Sequence, residues 1–169
     1  LLKGNLLKTP GVTSVSTGGH NLIQFGSNTS GIEWPGKTDD QDFLVSITSV
    51  GYDYTKATGM KIIEGRDFSH ESGNDKMCCL LNQTAGRMMG LKEPVVGTII
   101  RYDTTMAVVG VVEDFVYNDP FSTPAPMVVF LSKEGLNHFF VRFENNQHWD
   151  KNLAQIEQTL KTTYPEYPV

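Results

Sequence analysis

The sequence predicts an α+β domain in which strands outnumber helices. Short apolar runs bounded by Gly, Pro, Asn or Asp recur along the chain, as in FLVSITSV, MCCLLN, MAVVGVV and MVVFL, and runs of that length and setting read as strands. Most neighbouring strands are joined by turns too short for parallel crossovers. The longest helical periodicity falls near the end of the chain, where Leu153, Ile156 and Leu160 recur at i, i+3, i+7.

Taken in order, Leu1 to Lys8 has Leu2 and Leu6 at i, i+4 and stops before Pro10-Gly11, which reads as the last turns of a helix. Val12 to Phe25 is β-rich, with Gly18 and Gly19 marking a bend or bulge. GIEWPG reads as a short strand, followed by an acidic loop at Asp39, Asp40 and Asp42. The next strand sets Phe43, Val45 and Ile47 on one face. Asp53 is placed to cap a short helix, Tyr54 to Thr58, that Gly59 ends.

Met60 to Phe68 reads as a strand running into a turn at Gly65, and SHESGNDK as a polar loop before the strand Met77 to Leu81. Asn82 is the expected N-cap of a helix with Ala85, Met88 and Met89 on one face, closed by Gly90 and barred from continuing by Pro94. A hairpin follows, Thr98 to Tyr102 and Met106 to Tyr117, with Gly110 as a bulge. Pro120, Pro124 and Pro126 make 119–126 an extended connector. Strands at Met127 to Leu131 and Phe139 to Phe143 and a helix from about Asp150 to Tyr164 complete the chain.

The 169 residues suffice for one good core or two small ones. With 14 Lys and Arg against 19 Asp and Glu the formal charge is −5, which argues against binding a phosphate backbone. No stretch approaches the roughly 18 apolar residues of a membrane span, and no signal peptide opens the chain. The missing Met and the opening LLKGNLLKTPGV suggest a piece cut from something longer.

Chemistry is sparse. Glu113 and Asp114 are adjacent on a strand and so face opposite ways, which excludes a shared catalytic role and favours a strand emerging into solvent. His70, Glu71, Asn74 and Asp75 have metal-capable side chains but neither EF-hand nor zinc spacing. Cys78 and Cys79 lie inside an apolar run, too close to pair with each other; as nucleophiles they would need a base from His20, His70, His138 or His148. Asn28-Thr29-Ser30 and Asn82-Gln83-Thr84 match the short glycosylation pattern. No GxGxxG, P-loop or HExxH motif occurs. The residues assign no catalytic, cofactor-binding or metal role, and no cofactor.

The order of the pieces carries a resemblance. GYDYTKATGMKIIEGRDFS, MCCLLNQTAGRMMGLKEPVVGTIIRY and MAVVGVVEDFVYNDPFSTPAPMVVFL resemble, in that sequence, the MacB-like periplasmic core domain of ABC-transporter permeases that carry an FtsX-like membrane domain. The matching positions are Tyr54, Gly59, Met60, Gly65, Arg66, Asp67, Phe68, Asn82, Ala85, Arg87, Pro94, Val96, Gly97, Val108 to Val112, Asp114 and Phe115.

The resemblance implies a porter-like α/β sandwich part, 1–59 and 121–169, with an inserted, mixed Sabre-like part at 60–120. It further implies a domain on the periplasmic side of the bacterial inner membrane, anchored by flanking helices. That domain would work with a second permease copy, a cytoplasmic ATPase and a periplasmic adaptor, and not with nucleic acid. Its role would be mechanical, coupling ATP hydrolysis to periplasmic motion for export or for lipoprotein or peptide handling, and not enzymatic. Gly59, Gly65 and Gly97 are the expected positive-φ turns, and Arg66, Asp67 and Asp114 complete the structural or hinge set. The alternative is a free-standing periplasmic binding or adaptor module with the same fold.

Overall fold

The computed structural model describes residues 2–22, 27–115, 123–144 and 149–166. In chain order the elements are α1 (Leu2–Leu6), β1 (Val12–Gly18), β2 (Asn28–Thr29), β3 (Val45–Val50), α2 (Tyr54–Thr58), β4 (Ile62–Gly65), β5 (Cys78–Asn82), α3 (Gln83–Met88), β6 (Ile99–Tyr102), β7 (Thr104–Val112), β8 (Met127–Leu131), β9 (His138–Phe143) and α4 (Trp149–Thr163). Two 3-10 turns, His70–Ser72 and Asp75–Met77, punctuate the loop before β5. The expected ends of strands at Phe25 and Tyr117, and Pro120 of the connector, lie outside the described residues.

The strands form one mixed sheet in the order β4-β7-β5-β8-β3-β1-β9, with β2 beside β3 and β6 beside β7. The α+β class holds, yet the sheet is less local than its short connections imply: β3 pairs β8 in parallel, and so do β5 and β7. Among the described residues only the β2–β3 and β6–β7 pairs join strands consecutive in the chain. The expected strand at GIEWPG is reduced to one bridge, Glu33 to Arg101, because the Trp34 side chain is turned into the core and Pro35-Gly36 ends the pairing at once.

Alternation along the central strands builds two cores, one on each face of the sheet. Cys79, Leu81, Val108 and Val128 pack with Ala85 of α3, with Met89 just after it, and with Ile32 and Trp34. Cys78, Leu80, Val112, Met127 and Val129 pack on the other side with Tyr54 of α2 and with Phe68. All five residues of β5 are buried, which explains its unbroken apolar run. Gly110 sits at the expected bulge, since Cys79 opposes Val108 while Leu80 opposes Gly110, leaving Val109 as the extra residue.

Three local expectations are corrected. Asp53 stands before α2 in the left-handed region, with φ 67°, and makes no side-chain cap; its carboxylate binds Lys3 and Lys56 instead. Met88 is 41% exposed while Ala85 and Met89 are buried, because a six-residue helix presents only a narrow face to the sheet. α4 forms where its periodicity places it, but none of its residues is buried, and Leu153 is 45% exposed.

Candidate functional site

The side chains richest in partners gather where segment 60–120 meets the rest of the chain. Among the named strands of the described residues β5, through its antiparallel pairing with β8, carries the sheet across that line, and the single Glu33–Arg101 bridge crosses it a second time. At the end of β5, Asn82 is 0% exposed and uses both ends of its amide. Its Oδ1 accepts from Ala85 N–H at 3.0 Å, capping α3, and from Met127 N–H at 2.8 Å, while its Nδ2 donates to the Ala125 carbonyl at 2.9 Å. One buried side chain thus fixes the start of α3 to the start of β8.

Asp114, just past β7, completes the same helix end. Its carboxylate accepts from Thr84 N–H at 2.9 Å and Thr84 Oγ1 at 2.8 Å, and pairs with Arg87 at 3.1 Å. A negative charge on exposed helix N–H groups is favourable placement. The expectation of a strand merely emerging into solvent therefore fails for Asp114, while Glu113 follows it, paired at the surface with Lys61.

The Gly65–Phe68 turn is the second cluster. Gly65 has φ 71°, and a Cβ there would run into the Val109 carbonyl and lie 3.0 Å from Gly110 Cα. Gly59 and Gly97 have φ 82° and 90°. Arg66 forks onto Asp75, with Nη1 to Oδ2 at 2.8 Å and Nη2 to Oδ1 at 2.7 Å, and Ser69 N–H donates to the same carboxylate at 2.6 Å. Asp75 is 2% exposed, and the Arg66 hydrogen bonds hold its carboxyl below the usual carboxylate range in spite of burial.

Asp67 turns the other way. It accepts from Phe68 N–H at 2.7 Å and from Thr55 Oγ1 of α2, a contact that leaves the segment. Beside it Tyr52 and His70 stack with ring centroids 3.6 Å apart. A cleft of about 240 Å³ adjoins them, lined by Tyr52, Lys76, Leu131, Ser132, Lys133 and Glu134.

The structure thus brings Gly65, Arg66 and Asp67 together and sets Asp114 at the α3 end, whereas Gly59 and Gly97 serve separate turns. Sequence reasoning read Asn82 only as a cap and missed its hold on β8; it gave no role to Thr55, Thr84 or Arg142, whose Nε donates to the Ala57 carbonyl at the end of α2. Cys78 and Cys79 are free, buried and on opposite faces, and burial pushes both thiols up, the reverse of an activated nucleophile. Among the described residues no group of three His, Cys, Asp or Glu side chains could hold a metal ion, and no helix is long and apolar enough to cross a membrane.

Residues 4–159 match the model of the MacB-like periplasmic core domain, and the chain belongs to that family. It is accordingly a periplasmic domain of the MacB-like ABC-transporter permease class, a transporter part and not a classical enzyme. Solved structures carry the same fold. The periplasmic region of MacB from Actinobacillus actinomycetemcomitans is 16% identical, with a TM-score of 0.67 over 97% of this chain and 73% of that one. The extracellular domain of the noncanonic ABC-type transporter YknZ from Gram-positive bacteria is 12% identical, with a TM-score of 0.64 over 97% of this chain and 82% of that one. A domain of a putative permease protein from Porphyromonas gingivalis is 19% identical, with a TM-score of 0.54 over 89% and 71%. A search of curated proteins returns no match.

Proposed function

We propose that this domain is the moving periplasmic part of a dimeric permease, driven by ATP hydrolysis in a cytoplasmic partner subunit and serving export or the handling of lipoproteins or peptides, with a periplasmic adaptor as a further partner. The observation that carries the reading is the family match over 4–159. The geometry is in keeping with it. Asn5 meets Thr163 and Thr9 meets Thr159, so α1 and α4 run antiparallel and the start of one lies beside the end of the other. Flanking membrane helices would then enter on one side and impose their motion on this helix pair.

Within the domain, we read 60–120 as an inserted part on a porter-like remainder, with Gly59 and Gly65 as turns at its root and the Asp67–Thr55 contact as the tie between the two. Arg66 and Asp114 bond inside the insert and stabilise it, and Gly97 serves a turn within it. The test uses the full-length permease with its ATPase in a bilayer, spin-labelled at Ile63→Cys, which is exposed. The distance between the two copies should change when ATP is trapped, and Asp67→Ala should broaden that distribution. An inter-copy distance indifferent to nucleotide would overturn the coupling role; an Asp67→Ala variant with unaltered folding and distances would remove the hinge role alone.

A further inference from the structure

The contact between α1 and α4 is built from a repeating polar ladder. Gln155, Thr159 and Thr163 recur at i, i+4, i+8 along α4, beside Asn5 of α1 and Thr9 just past the end of α1, and all five line a cleft of about 480 Å³. Thr159 Oγ1 donates to the Gln155 carbonyl at 2.9 Å and Thr163 Oγ1 to the Thr159 carbonyl at 2.7 Å, so both hydroxyl protons are committed within the helix. Toward α1 these two oxygens can only accept. They take Asn5 Nδ2 at 3.1 Å and Thr9 Oγ1 at 3.1 Å. One turn earlier, Gln155 Oε1 is a buried acceptor with no donor.

We propose that α4 occupies two registers on α1, one helical turn apart. Sliding α4 by about 5.4 Å toward its own C-terminus brings Thr159 opposite Asn5 and Gln155 opposite Thr9. Each of the two donors, Asn5 on α1 and Thr9 just past its end, then meets an acceptor, Asn5 a hydroxyl as before and Thr9 an amide oxygen in place of a hydroxyl. Asn5 Nδ2 gives its proton to Thr159 Oγ1, Thr9 Oγ1 gives its proton to Gln155 Oε1, and Thr163 passes to solvent. Ile156 moves to where Leu160 stood, and Asn152 takes the place of Ile156. No residue of α4 is buried as a whole, so none fills a socket that would forbid the slide. Shifts of one turn between packed elements are a known form of two-state transition. Both registers belong to the domain itself, whatever drives it.

Spin labels at Gly4→Cys and Lys151→Cys, both exposed and far apart along the helix axes, read the register without touching the ladder. Cys78 and Cys79, being buried, stay unlabelled. In the full-length protein we expect two distances differing by about 5 Å. Gln155→Leu, which removes no bond from the observed register, should deplete the shorter distance about fivefold, and Thr163→Val should enrich it about fivefold. Opposite responses of this kind cannot come from a variant that simply fails to fold. A single distance, or two whose weights neither variant moves, overturns the proposal.

Discussion

Removing the charge of Asp75 separates what its shape contributes from what its ionisation contributes. Arg66 and Ser69 bond to the carboxylate, and the folded-state carboxyl is held below its ordinary range, first by the Arg66 hydrogen bonds. A depressed carboxyl adds stability that is fully present above the unfolded value of about 3.9 and is lost as pH falls through the folded value. Asp75→Asn keeps the size but surrenders that increment, so it should cost about 2 kcal/mol at neutral pH, where charged hydrogen bonds are at full strength. Because the lost increment is the ionised one, the gap between wild type and variant in urea unfolding should begin to narrow as pH falls below about 4 and close only below the folded-state value. A gap of constant size down to acid pH would mean that the Arg66–Asp75 fork contributes packing and no electrostatic stabilisation.

β5 and α4 stand at opposite ends of local stability. β5 is buried along its whole length and bonded on both edges, to β7 and β8, whereas no residue of α4 is buried and its polar contacts at Asn5 and Thr9 reach only α1 and the turn after it. Amide exchange should therefore release α4 first and hold the β5 amides until global unfolding, a separation of several kcal/mol in opening free energy; equal protection of the two would contradict the packing described. The same pair shows what a sequence can and cannot tell. α4 was legible as a helix because Leu153, Ile156 and Leu160 recur locally, but its exposure was not, since that depends on which neighbour arrives. The Gly110 bulge, the Asn82 cap and the positive φ of Gly59, Gly65 and Gly97 are short-range matters and could be read. The parallel β3–β8 pairing, the Arg66–Asp75 fork and the reach of Asp114 back to Thr84 join residues from 9 to about 80 positions apart. Nothing in local pattern encodes such partners, and the Asp53 cap failed for the same reason, its carboxylate having been taken by Lys3.

Both cores cross the line between segment 60–120 and the remainder, and this decides how the domain can move. On one face Val45, Val128 and Trp34 share a cluster with Cys79, Leu81 and Val108; on the other Val50, Met127 and Val129 share one with Leu80 and Val112. Parting the two segments would expose both faces of β5 and β8 to water at about 25 cal/mol per Å² of apolar surface, and would unpair the buried amide of Asn82 from β8. The domain should accordingly unfold in one cooperative transition, with fluorescence of the buried Trp34 and far-UV circular dichroism giving coincident curves. Asn82→Ala should lower the midpoint by about 3 kcal/mol of stability, the cost of leaving the Ala85 and Met127 N–H groups and the Ala125 carbonyl without a partner, and should do so without splitting the curve. Two separate transitions, in either protein, would show that segment 60–120 holds a core of its own and can open against the remainder. If the transition stays single, motion imposed on this domain has to be taken up where packing is weakest, along α1 and α4 and at the Asp67–Thr55 tie, while the sheet travels as one body.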